Sequence, residues 1–232
     1  MFRRSRGPGN AEPDRSTASA VLHPLLFGNV PLDEWPTGQG AGGVWERFTA
    51  ARQAYEASDI ESAVRIWDDI VATPGLESRQ YLQAWGFLRQ TGRQPPGDVA
   101  KVVLGAVAEM PFGPAHDVLA AYEDGSCRYL NHAGGVVVIE GRSIEPVCDA
   151  ARAWLDVARA LARLIGHWDQ PDLPVLPAGH MRVMVLTPSG PHFGQGPQQQ
   201  MIAQAPVGPF VQAATRLLSV VVHLAVPSSG SS

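Results

Sequence analysis

Ser189 and His192 stand three residues apart in the segment Thr187-Pro-Ser-Gly-Pro-His-Phe-Gly-Gln-Gly-Pro197. A hydroxyl beside an imidazole is the pair from which a serine nucleophile is built, provided that an orienting acid and an oxyanion hole accompany it. The surrounding pattern is not Gly-x-Ser-x-Gly, because Thr187 takes the first glycine position. The same segment reads in a second way. Placed after a strand and before a helix, its backbone amides at Ser189, Gly190, Gly194 and Gly196, with His192, could bind an anion. It lacks the Lys and Ser/Thr of a phosphate-binding P-loop and the glycine spacing of a dinucleotide fold. The bland alternative is a folded-over Gly/Pro connector with no ligand.

Seven histidines are spread along the chain, and no pair has the four-residue spacing of a helical zinc site. His116, His132 and Cys127 could meet at one end of a meander, but turn-exposed histidines explain them as well. No metal and no cofactor is expected. Glu109 and Glu140 fall near predicted strand ends, either as a carboxylate pair or as charges that discourage edge pairing.

The elements that position these residues follow from periodicity. Val44, Phe48, Ala51 and Tyr55 share a helical face, and Ile60, Val64, Trp67, Ile70 and Val71 share another. Ser58-Asp-Ile-Glu61 matches a capping box that would start the second helix. A third helix runs from about Ser78 to Thr91, with Gly92 as its C-terminal stop. After Pro95-Pro96 the period changes. Strands are predicted over Val102–Met110 (with a bulge at Gly105), Val118–Tyr122, Cys127–Asn131 and Val136–Glu140, the second and third joined by Asp124-Gly125. Ser143 can cap a long helix to about Ile165, Met181–Thr187 is a fifth strand, and a final helix spans about 208–226.

Tyr55, Asp59, Ala63, Trp67 and Pro74 resemble one tetratricopeptide-type helical hairpin near 44–74. A single copy implies local geometry and not a stacked peptide-binding array. The runs Ala120-Ala-Tyr122 to Asn131-His132 and Thr187 to Pro197 resemble those of a group of uncharacterised bacterial proteins, and that resemblance implies no activity.

The predicted fold class is therefore α+β. An N-terminal helical subdomain (44–94) precedes a mainly antiparallel sheet of about five strands covered by two long helices (98–226). A disordered tail and linker arm (1–43) and a short tail (227–232) flank them. With 232 residues, a net charge of −4 and 45% hydrophobic residues, the composition is that of a globular chain with no basic balance for nucleic acid. Its two cysteines make no disulfide framework and suit a reducing, cytoplasmic setting. The last helix is apolar around most of its circumference, yet Arg216 and His223 lie within it, so no membrane span is expected. Trp67, Leu217 and Val221 are taken as partner-facing positions. The function expected is that of a non-catalytic interaction or adaptor component of a bacterial assembly, bound to another protein or to itself. The alternative is a small-ligand sensor or enzyme using the 187–197 segment.

Overall fold

The computed structural model describes residues 26–35, 42–168, 170 and 173–225. The expected tails at 1–20 and 227–232, and Val21, Leu22, Pro24 and Leu25 of the arm, lie outside the described residues.

Three helices of 12 or 13 residues precede the sheet among the described residues: α1 (Val44–Glu56), α2 (Ile60–Val71) and α3 (Ser78–Gln90). They pack around an aromatic cluster in which Trp35 meets Phe87 at 5.5 Å and Trp67 meets Phe87 at 5.4 Å between ring centroids. The start of α2 differs from the sequence expectation. Asp59 is the cap, its carboxylate accepting from the Ser62 amide at 3.1 Å, and Ser58 sits one residue earlier at φ 63. Asp is as good a cap as Ser, and the left-handed turn at Ser58 displaces the start by one position. The end of α3 closes as expected: Gly92, at φ 85, donates to Arg89 and Arg93 donates to Leu88, satisfying the last carbonyls.

The sheet has six antiparallel strands: β1 (Gly105–Phe112), β2 (Ala115–Tyr122), β3 (Cys127–Leu130), β4 (Val136–Ile139), β5 (His180–Thr187) and β6 (Gly190–Pro197), in the order β4-β3-β2-β1-β5-β6. Helix α4 (Glu145–Leu161) lies between β4 and β5 in sequence, and α5 (Gln198–Ala203) and α6 (Val207–Ala225) follow β6. Ile144, not Ser143, precedes α4 as its cap residue, and Pro146 in the first turn suits a helix start. Gly105 makes no bulge but pairs in regular register with Tyr122 and Leu186. A Cβ there would sit 3.0 Å from the Tyr122 ring, which accounts for the glycine.

Period-two alternation divides the strands between two layers. Ala106, Ala108, Leu119, Ala121, Met181, Val183 and Val185 face α4 and α6, where Trp154 and Phe210 meet edge to face at 5.2 Å. The opposite residues, Val107, Val118, Ala120, Tyr122, Met184 and Leu186, pack against Leu26, Phe27 and Leu82. The arm thus has a packed part. Val30 exchanges two hydrogen bonds with the buried Gln83 side chain, and the Tyr122 hydroxyl donates to the Leu26 carbonyl at 2.6 Å. Ser78 and Asp124 add a reciprocal pair of bonds at 2.7 and 3.1 Å, tying α3 to the β2–β3 turn.

Candidate functional site

The segment expected as a Gly/Pro loop is mostly strand β6. Residues Thr187 and Gly190 pair, so only Pro188-Ser189 remain as the turn, with Gly190 at φ 116. Trp168 donates to the Pro191 carbonyl at 2.7 Å, which places the Pro191 backbone on the outer edge of the sheet. By alternation Pro197 shares that side. Proline lacks an N–H, and both prolines occupy positions where no ladder donor is needed. Their neighbours His192, Gly194 and Gly196 point to the α4/α6 layer. A Cβ on Gly196 would lie 3.4 Å from the Met201 sulfur, and one on Gly194 3.8 Å from its methyl. Both glycines lie under Met201 of α5, at ordinary van der Waals distance from where a Cβ would sit.

Ser189 and His192 do come together. The Ser189 Oγ lies 3.2 Å from His192 Nε2, and His192 Nδ1 lies 2.9 Å from the Ile165 carbonyl. A carbonyl can only accept, so Nδ1 carries the proton and Nε2 is the acceptor for the Ser189 hydroxyl. Thr187 continues the chain, with Oγ1 2.9 Å from Ser189 Oγ and a bond to the Gly190 carbonyl. The remaining parts of a nucleophile's apparatus are not present among the described contacts. The group orienting His192 is a carbonyl instead of a carboxylate, and the Ser189 amide already donates to the Ala100 carbonyl at 3.0 Å. The neighbouring crevice, lined by Gly28, Asn29, Arg89, Thr187 and Gly190 among others, has a volume of about 10 Å³, room for one water. Arg89 fills its wall, donating to the Pro188 carbonyl and to Asn29 Oδ1, and burial pulls its guanidinium down to about 10.

Burial is also the main influence on His192, and with Lys101 and His167 nearby it outweighs the Ile165 carbonyl, so the imidazole titrates below its ordinary value. The fold therefore favours neutral His192. Unfolded histidine titrates near about 6.5, so this contribution is complete above that pH and drains away as pH falls toward the folded value. Thermal melts between pH 7.5 and 5 should show falling stability, and His192→Gln should flatten that dependence. An equal slope in the variant would remove His192 as its source.

A second polar group gathers at the β2–β3 end. Asp117 accepts from the Tyr129 hydroxyl at 2.7 Å and from the His132 amide at 2.7 Å, with His132 Nδ1 at 2.8 Å. Burial alone would raise its carboxyl, but these bonds hold it below the ordinary value. Phe112 stacks on the His132 ring at 3.8 Å. His116 instead bonds the His180 carbonyl, on the other face of the sheet, and burial pushes the Cys127 thiol up to about 12. His116, Cys127 and His132 do not converge, and among the described residues no three His, Cys, Asp or Glu are placed to hold a metal.

Glu109 fits neither sequence reading, whereas Glu140, exposed just past the edge strand β4, fits that of an edge charge. Glu109 lies on the central strand β1 and pairs with Arg182 at 2.9 Å in the interior, while Glu140 reaches Arg128 at 2.7 Å from the surface. The partner-facing expectation is also corrected. Trp67 (0% exposed), Leu217 (0%) and Val221 (1%) belong to the chain's own core, because their apolar faces close on Phe87 and on the α4–sheet layer. Val207–Leu224 is long and apolar enough to cross a membrane, but that face of it is packed against the sheet and α4.

The surface feature that sequence reasoning missed is the other edge of the sheet. Asn131 donates to the Gly135 carbonyl at 2.9 Å, so the pairs Tyr129–Val137 and Cys127–Ile139 are the hydrogen-bonded ones and Val136 and Val138 turn their N–H and C=O outward. Their side chains are 53% and 51% exposed. The signal was present in Val136-Val-Val-Ile139, an uncharged run without proline on what becomes an edge strand. Compared with family models, curated proteins and solved structures, the chain matches none.

Proposed function

We propose that the chain is a non-catalytic, cytoplasmic interaction component of a bacterial assembly, and that β4 is the edge on which it docks an extended protein strand. The observation that carries this reading is the difference between the two edges of one sheet. At β6, Pro191 and Pro197 occupy outward positions and Trp168 bonds the edge. At β4, Val136 and Val138 present backbone groups and half-exposed apolar side chains, with no proline in the strand and no covering hydrogen bond among the described residues. Natural sheets blunt their edges with proline, charge or a covering loop, and an edge left open is a template for strand addition. The two free cysteines are in keeping with a reducing compartment, and the net charge of −4 favours a protein partner over nucleic acid.

The test uses Val138→Pro, which removes an outward N–H and leaves the β3 bonds untouched. The variant should melt within about 0.5–1 kcal/mol of the parent. It should also lose whatever protein the parent retains in matched pull-downs from the native host. Equal retention by both chains would overturn the reading. The runner-up, a sensor or enzyme at 187–197, has the Ser189–His192 contact of 3.2 Å in its favour. Against it stand the missing carboxylate, the occupied Ser189 amide and the closure of Gly194 and Gly196 by Met201.

A further inference from the structure

The β4 edge is complementary to itself, and we infer that the strand it takes up is β4 of a second copy of this chain, paired antiparallel about a two-fold axis at Val137. This rests on the docking reading above. In that register Val136 of one copy lies opposite Val138 of the other, and Val137 lies opposite its own equivalent. The residues whose backbone groups face outward are Val136 and Val138. Each opposed pair therefore sets an outward donor and acceptor against another such pair, and both exchange their bonds. A shift of one residue puts an outward residue opposite an inward one and loses them.

Side chains agree with the backbone. Val136 and Val138 lie on one face of the sheet, 53% and 51% exposed, and each would meet the other's equivalent across the join. The strand carries no charge to repel its copy. Extended by two residues, the register sets Glu140 opposite Gly134 of the second copy, so no like charges are directly opposed. A two-fold contact of this kind closes on itself and leaves β6, with its outward prolines, as the outer edge of both halves.

Position 137 reports the register. A non-hydrogen-bonded antiparallel pair brings Cα atoms to about 4.5 Å, within disulfide range. In full-length chain carrying Cys148→Ser, with Cys127 buried, Val137→Cys should form a disulfide-linked dimer under mild oxidation. Val136→Cys and Val138→Cys should do so at least about tenfold more slowly when alone, and readily when the two are mixed. Sedimentation equilibrium should show a dimer of the parent chain, with Val138→Pro weakening it at least about tenfold through the lost outward donors. A parent chain that stays monomeric and gives no Val137→Cys dimer would overturn self-pairing, as would a dimer that cross-links equally at all three positions. A free peptide of the sequence 134–140, followed through the Val136 and Val138 amide shifts, separates the two proposals. Shifts without self-association overturn self-pairing alone, and neither shifts nor association overturns the docking reading with it.

Discussion

Leu217→Asp should leave the chain without a cooperative unfolding transition. Leu217 is fully buried in α6, in the cluster that contains Trp154, Phe210 and Val185. The substitution removes the contacts of a core leucine, worth about 2–5 kcal/mol when truncated, and inserts a carboxylate into an apolar cluster. A mesophilic domain has only about 5–15 kcal/mol in total, so the combined loss approaches or exceeds it. Near-UV circular dichroism and urea melts would read the outcome. Ser219→Asp, on the exposed side of the same helix, should change the midpoint by no more than about 0.5 kcal/mol. A folded Leu217→Asp chain would mean that α6 is not part of the core.

Arg182→Met should cost about 3–5 kcal/mol, the second largest effect expected of a single substitution. Both side chains of the Glu109–Arg182 pair are almost wholly enclosed, at 4% and 3% exposure. The guanidinium also bonds Gln195 Oε1 and the Pro174 carbonyl, and lies over the Phe193 ring at 5.8 Å. It thereby fastens β1, β5, β6 and the 173–175 segment at one point. Replacing it takes the buried cation away from the Glu109 carboxylate and puts an apolar side chain in its place. Adding Glu109→Gln to Arg182→Met should recover part of the loss, because the buried negative charge goes with it, and the double-mutant cycle gives the coupling directly. Additive effects of the two changes would show that the pair is not coupled.

The class of the fold could be read from the sequence because its strongest signals are local. The Asp124-Gly125 turn forms, with Gly125 at φ 87 and the Asp124 carboxylate accepting from Ser126. The apolar stripe of α4 from Val147 to Leu161 is buried as its spacing implied. What failed had physical reasons. Strand β6 carries three glycines and two prolines, and composition argued for a loop. The deciding fact is positional: its prolines fall at outward edge positions and Gly194 and Gly196 face Met201, and neither can be known before the neighbours are in place. Glu109 looked like an edge charge because its strand could not be placed in the centre of the sheet without β5. Among the candidate site residues, the sequence brought Ser189 and His192 close, and they touch, but the carbonyl that orients His192 comes from Ile165, far away in the chain. Trp67 stands on the helical hairpin and Leu217 and Val221 on an over-apolar helix, elements that suggest docking in the sequence, and the fold buries all three on itself.

Hydrogen exchange at single amides in β4 tests the central claim most directly. Val137 and Ile139 are bonded to β3, whereas Val136 and Val138 face the open edge. In dilute protein, Val136 and Val138 should exchange at nearly the rate of an unstructured chain while Val137 and Ile139 are protected. With a docked strand, whether a second copy at high concentration or an added peptide, Val136 and Val138 should slow by at least about tenfold and Val137 and Ile139 should change little. Protection of all four amides at every dilution, or no response of Val136 and Val138 at any concentration, would contradict β4 as the docking edge.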